Sequence, residues 1–485
     1  MQKIVRPLVR AFRPSQIGFA VVLSLASATP ASSLAEQATR QTSLTAQATQ
    51  QTYLAEPGSG FSHQASNRDA FSLPAPALNS AELRIFNFGN RLFNTNWVVA
   101  PASASGFDGL GPLFNRVSCS GCHLRDGRGR APNAGESELL SMIVRISVPG
   151  IDAQGGPKPV PGYGTQINDR AIPGVQPEAR IQIKWQEIPG RYADGSAFSL
   201  RKPLIKFDKL AYGRLPKNIL GSPRVASAVI GMGLIENITD ATLLALSDPN
   251  DVNNDGISGR VNRVYSNSIA ANAIGRFGWK ASVATLSDQN LSAALGDMGI
   301  TSKFEPNQNC MPQQTACRRA VDGGDPEIPD NFADKLNQYV RTLGVPQQRP
   351  ATPQSKLGAI LFRQFRCTSC HIETLKTGSQ SSHAYLNNQA INAYTDLLLH
   401  DMGPGLADAR PDFQATGSEW RTAPLWGLGL VPLVNDHDNY LHDGRARGFA
   451  EAILWHGGEA ERSKEQFRYA NKAQRQALLG FLQRI

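Results

Sequence analysis

Two short stretches hold the residues best suited to do chemistry: Cys119-Ser-Gly-Cys122-His123 and, about 250 positions later, Cys367-Thr-Ser-Cys370-His371. The chain has only 6 cysteines in 485 residues, so two chance copies of Cys-x-x-Cys-His are not credible. Thiols three positions apart share one helical turn, where each can add across a vinyl group of haem. The adjacent imidazole then reaches the iron as its proximal ligand. The rival chemistries are a thioredoxin-like dithiol, which needs a surrounding βαβ pattern, and a zinc site, which needs further cysteines at similar spacing. The sequence offers neither. The spacing predicts two covalently bound haem c groups, one on Cys119, Cys122 and His123, the other on Cys367, Cys370 and His371.

Elements must bring each motif into a pocket. Apolar residues recur at helical spacing in "AELRIFNFGNRLF" (81–93), ahead of the first motif, and "SKLGAILFRQF" (355–365) precedes the second in the same way. A helical pattern also covers 224–246. Alternation in "SMIVRISV" (141–148) and "RIQIKWQEI" (180–188) predicts strands of a small sheet. Pro-rich "GVPQQRPATPQ" (344–354) reads as a linker. The expected fold is mainly α: two cytochrome c-like domains, 79–345 and 351–485, the first enlarged by insertions with a small β component.

The N-terminus reads as an address. Lys3, Arg6, Arg10 and Arg13 precede an apolar run from Ile17 to Ala28 and small residues up to Ala35, the pattern of a secretory signal peptide over 1–35. The run is too short to span a bilayer, which takes about 20 residues. Losing it removes four positive charges and lowers the formal net charge from +9 to +5. That leaves a mildly basic surface with no Lys/Arg run of the kind that binds nucleic acid. Residues 36–78, rich in Gln, Thr, Ala and Ser, read as a flexible leader. The expected destination is the periplasm. In an oxidising compartment Cys310 and Cys317 are expected to form a local disulfide, with free thiols the alternative.

With these motifs in view, the sequence resembles the bacterial di-haem oxidoreductases, peroxidase-like relatives of di-haem cytochrome c peroxidase. The resemblance runs from about residue 80 to the end. It is carried by "SCSGCHLRDGRGR", "NDGISGR" (254–260), "GRFGWKA" (275–281), "DMGIT" (297–301), "LLLHDMGPGLAD" (397–408), "EWRTAPLWGLGL" (419–430) and "LHDGRARGFAEAILWHGGEA" (441–460).

The resemblance implies roles for further residues. The peroxidases place a distal methionine fourteen residues after the histidine of a His-Asp-Gly stretch. Here His442-Asp443-Gly444 leads at that distance to His456, which implies bis-histidine ligation of the second haem and a lower potential than His/Met. Met402 and His400 are the rival ligands; His63, His383 and His437 have no expected role. For the first haem, the family's removable distal histidine would fall near Leu139, and no histidine lies between His123 and His371. Unless His63 or Met142 reaches over, the first iron keeps an open face. The family pattern W-D-G-R-A-x-x-L-x-x-Q followed by a glutamate maps onto Trp279, Leu286, Gln289 and, one methylene short and at +18 rather than +20, Asp297. It implies Asp297 as acid/base, Gln289 as orienting group and Trp279 as an aid to electron transfer. The family also holds a calcium. Asp251, Asn253 and Asp255 resemble the first half of a calcium loop, although position twelve is Asn262 and an Asx-rich turn is an equal reading.

The implied function is a periplasmic di-haem peroxidase. It takes electrons from a small donor protein, a cytochrome or cupredoxin, through the C-terminal haem to the N-terminal haem, where a small-molecule oxidant is reduced. A non-catalytic electron-transfer cytochrome and a haem-dependent oxygenase of an organic substrate are the alternatives.

Overall fold

The helix Ser80–Asn94 begins where Asn79 accepts the amides of Ala81 and Glu82 while Glu82 reaches back to the Asn79 amide, a reciprocal cap that fixes its start. Its buried face, with Phe86, Leu92 and Phe93, packs on the helix Asp330–Thr342. At the crossing stands Gly89, where a Cβ would collide with the Lys335 carbonyl and the Tyr339 side chain. The second half repeats the device. Pro353–Gln364, capped by Thr352 with Pro353 in its first turn, crosses Lys472–Arg484, capped by Asn471. Gly358 lies at that crossing, where a Cβ would meet the Ala477 carbonyl. Each helix pair brackets one Cys-x-x-Cys-His motif, and each motif opens as a single 3-10 turn, Cys119–Gly121 and Cys367–Ser369.

This arrangement comes from a computed structural model that describes residues 60–103, 106–136 and 138–485. The signal-peptide expectation for 1–35 and the first part of the leader lie outside them. The described residues belong to one compact unit. No helix among them is long and apolar enough to cross a membrane.

Three expectations change. The protein is mixed rather than mainly α, with 29% of residues helical and 19% in strands. All sheets among the described residues are two-stranded. The longest elements of the helical halves are 15 residues or fewer, whereas the insertion supplies an antiparallel hairpin of two 12-residue strands, Arg180–Arg191 and Ala197–Asp208. Composition hid this, because short alternating strands leave little trace in overall residue usage. Second, residues 60–78 are not a loose leader. Phe61, Ala70, Phe71 and Ala75 are buried, and Ser62–His63 pairs in parallel with Val345–Pro346 from the linker stretch. The few apolar residues in a polar segment were enough to tie it down. Third, the stretch 224–246 is not one helix. Arg224 and Val225 end the strand Leu220–Val225, and Thr239 caps a fresh helix, Asp240–Leu246, after the short Met232–Glu236.

The strands that matter for the site are Met142–Ser147 and Leu220–Val225, paired antiparallel. Met142, Val144 and Ile146 face an apolar core, while Ile143 and Arg145 point the other way, as the two-residue period of a strand requires.

Candidate haem centres and the cavity between them

Cys119, Cys122 and His123 line a cavity whose walls come from both halves of the chain. Phe71, Phe93, Ile235, Leu286, Leu336 and Val340 give it apolar sides, and Arg421, Trp426 and Val431 close it from the second half. The loop after the motif is gripped from that half too. Asn435 accepts the Arg128 amide and donates to the Leu124 carbonyl, and Arg125 donates to the Val434 carbonyl.

Burial pushes the thiols of Cys119, Cys122 and Cys367 up to about 12, with the Asp297 carboxylate adding to the effect at the first pair. All four motif cysteines are free thiols. Neutral, sequestered thiols are poor nucleophiles for disulfide exchange, which disfavours a dithiol redox role.

Three histidines share one geometry. The Nδ1 of His123 lies 2.7 Å from the Ser227 carbonyl, that of His371 2.9 Å from the Tyr394 carbonyl and that of His456 2.7 Å from the Ala452 carbonyl. A carbonyl only accepts, so each Nδ1 carries the proton and each Nε2 presents a lone pair, the arrangement found at metal-ligating imidazoles. Burial lowers all three below the ordinary histidine range, His371 to about 4, and so keeps them neutral. His456 is also among the groups that lower His371, so the two stand in one electrostatic neighbourhood. His442, from which His456 is counted, stacks on Trp420 at 3.6 Å.

The rival ligands do not share this geometry. Both His400 nitrogens are engaged, by Glu459 at 2.7 Å and Asp396 at 2.8 Å. Although burial opposes charge, these carboxylates and Cys370 raise it to about 12, a cation rather than a ligand. Met402 heads the short helix Gly403–Leu406. His383 is held by Glu82 and Gln338, and His437 lies against the Arg128 carbonyl. Neither His63 nor Met142 lines the first cavity: His63 sits in the strand against Pro346, and Met142 faces the apolar core. Its lining methionines are Met232 and Met298.

Trp279, Gln289 and Asp297 do meet there. Thr285 caps the helix Leu286–Met298, and positions 289, 293 and 297, four apart, share the face that lines the cavity. Gln289 Oε1 is buried without a hydrogen-bond partner. Trp279 donates its Nε1 proton to the Val225 carbonyl, 2.9 Å away, with the Arg128 guanidinium 5.1 Å over its ring. Asp297 Oδ1 accepts from Gln166 Nε2 at 2.8 Å. Gln166 lies in the insertion and carries no motif, so nothing in the sequence marked it.

Two half-buried arginines, assigned no role by any sequence motif, also line this cavity. Arg128 donates to the Asn439 carbonyl and Arg421 to the Gly278 carbonyl, and neither forms an ion pair with a carboxylate among the described residues. Burial lowers both to about 10. Half-buried guanidiniums without a carboxylate partner, in a largely apolar cavity, fit an anionic-edged macrocycle such as haem.

Asp251 and Asn253 cap loop amides at Asp255 and Gly256, and Asp255 caps Ile257 and pairs with Arg366 at 3.0 Å. These are the inward hydrogen bonds of an Asx-rich turn, docked beside the second motif. Asn262 is buried elsewhere, donating to the Lys280 and Asp412 carbonyls.

Two crossed-helix lobes, each carrying its motif and a neutral proximal-type histidine, define a protein built to hold two haems. The chain belongs to the family described as "Di-haem oxidoreductase, putative peroxidase", whose model matches residues 58–485. No curated protein matches the chain. Among solved structures it is similar to a Kuenenia stuttgartiensis hydrazine synthase at 11% identity, over 86% of this chain and 94% of that one, with a TM-score of 0.29.

Proposed function

We propose that this di-haem oxidoreductase is an exported, periplasmic peroxidase, loaded covalently through Cys119 and Cys122 and through Cys367 and Cys370. In this reading a small donor protein delivers electrons near His371, and the oxidant is reduced beside His123. The observation that carries it is the convergence of Trp279, Gln289 and Asp297 on the cavity lined by Cys119, Cys122 and His123. Bound there, haem supplies one-electron redox chemistry at its iron. The chain's own residues supply the rest. His123 and His371 would hold the two irons through Nε2, and His456 would offer the same atom to the haem on Cys367 and Cys370. Gln289 Oε1, lacking a partner, accepts a peroxide O–H. Asp297, steadied at Oδ1 by Gln166, takes the proton of one peroxide oxygen at Oδ2 and returns it to the leaving oxygen.

Intact mass and peroxide turnover of the purified holoprotein test the reading. The mass should exceed the polypeptide by two haem units, and a reduced small cytochrome should be oxidised on adding hydrogen peroxide. A bare-chain mass removes covalent attachment. Two haems with no donor oxidation remove the peroxidase assignment.

A further inference from the structure

A second, polar cavity adjoins the first and shares Trp279, Gln289 and Asp297 with it. Its outer wall is cationic. Arg145 stands opposite Ser222 in the paired strands and Arg224 opposite Ile143, so register puts both guanidiniums on the face away from the apolar core. Diagonal neighbours of this kind are within reach of long side chains. Arg410 joins them from the second half, only 2% exposed.

These arginines are short of acceptors. Arg224 donates to Asp412 at 2.8 Å and to Ser222 at 3.0 Å; its Nη2 lies 3.8 Å from Asp408 and has no hydrogen-bond partner. Arg410 Nε also has none, although Nη1 lies 3.2 Å from Asp412. Arg145 makes no side-chain hydrogen bond with a described residue. Lys280, fully buried behind them, takes Asp408 at 2.9 Å. Asp408 and Asp412 are the carboxylates that meet Lys280, Arg224 and Arg410 directly, while Asp297, also lining the cavity, acts on Arg145 through its charge. The arginines depress one another by like charge, on top of desolvation. The other acids lining the cavity accept from neutral donors: Asp152 from loop amides, Asp288 from Ser266 and Ser268, Asp297 from Gln166 and Glu305 from Asn267. Buried guanidinium donors left without an acceptor are costly unless a ligand completes them. The planar guanidinium fork matches a carboxylate, and Trp279 and Phe413 offer aromatic surface to an organic body.

We propose that this cavity is a binding site for a small organic carboxylate, held by Arg145, Arg224 and Arg410 with its body directed toward Gln289 and Asp297. The site goes beyond peroxide reduction. It binds whether or not the protein turns peroxide over, so the two readings fail separately.

The test is calorimetric titration of the haem-loaded protein with succinate, with succinamide as the neutral control and sodium sulfate as the inorganic anion. Succinate should bind saturably and succinamide should not. Arg145→Gln removes a guanidinium that no internal hydrogen bond depends on, so it should fold and weaken succinate roughly 10- to 100-fold. Arg145→Lys should recover part of that loss. Ser282→Asp, which adds a like charge to the same wall, should weaken binding independently. Absence of saturable succinate binding, or affinity unchanged in both Arg145→Gln and Ser282→Asp, overturns the proposal. So does sulfate binding without succinate. If Arg145→Gln lowers haem content or alters the haem spectrum without added succinate, the arginines serve the haem's own carboxylates and the proposal falls.

Discussion

The role proposed for Asp297 depends on its neighbours. Its sequence match to the family glutamate is short by a methylene, and Gln166 compensates by fixing Oδ1 from the insertion. Asp297→Asn keeps size and removes the proton acceptor, so peroxide turnover should fall roughly 10²- to 10⁴-fold while both haem spectra persist. Steady-state kinetics beside absorption spectra separate these outcomes, and full activity would move the proton-transfer role elsewhere. His456 permits a spectroscopic counterpart. With Nδ1 bonded to Ala452 and Nε2 free beside His371, His456→Ala should convert one low-spin haem to high-spin and leave the other unchanged. An unaltered spectrum would reassign the ligand.

At the scale of elements, loops of the insertion act as a brace for the helix carrying Asp297. Cys310 and Cys317 are disulfide-bonded, with Cα atoms 5.6 Å apart, and the loop they close contains Gln314. Gln314 donates to Glu178 Oε1 at 2.6 Å, the Asn168 amide donates to Oε2 at 2.7 Å, and the Asn168 side chain reaches Asn115 and the Gly296 carbonyl. Burial raises Glu178 from 4.5 to about 8, against these hydrogen bonds. Between those two values the folded chain holds a proton that the unfolded chain has lost, so stability falls with rising pH. The contribution is complete below about pH 4.5 and is lost as pH climbs to about 8. Melting temperatures across that window should show the decline, and Glu178→Gln, neutral throughout, should flatten it. An identical slope in the variant would remove Glu178 as its source.

Across the whole molecule, the two lobes are joined rather than strung together. The N-terminal strand Ser62–His63 pairs with Val345–Pro346 between the lobes, and Phe61 and Phe71 are 0% and 1% exposed. Burying a phenylalanine side chain stabilises by roughly 1.5–3 kcal/mol. A chain beginning at residue 79 should therefore lose about 3–6 kcal/mol relative to one beginning at residue 60. Chemical denaturation of the two haem-loaded chains measures the difference, and equal midpoints would show that the segment only lies on the surface.

The two Cys-x-x-Cys-His motifs and the helices framing them were legible in the sequence, because covalent chemistry fixes spacing and an amphipathic helix repeats every 3.6 residues. His456, Trp279, Gln289 and Asp297 were legible only through resemblance. The mixed fold, the bracing by Gln166 and Glu178, and the wall of Arg145, Arg224 and Arg410 belong to the tertiary structure. These residues stand as many as 265 positions apart, from Arg145 to Arg410. Strand register, the pairing of buried charge and the closing of one lobe's cavity by the other depend on distance in space, and no local pattern in the chain encodes that distance.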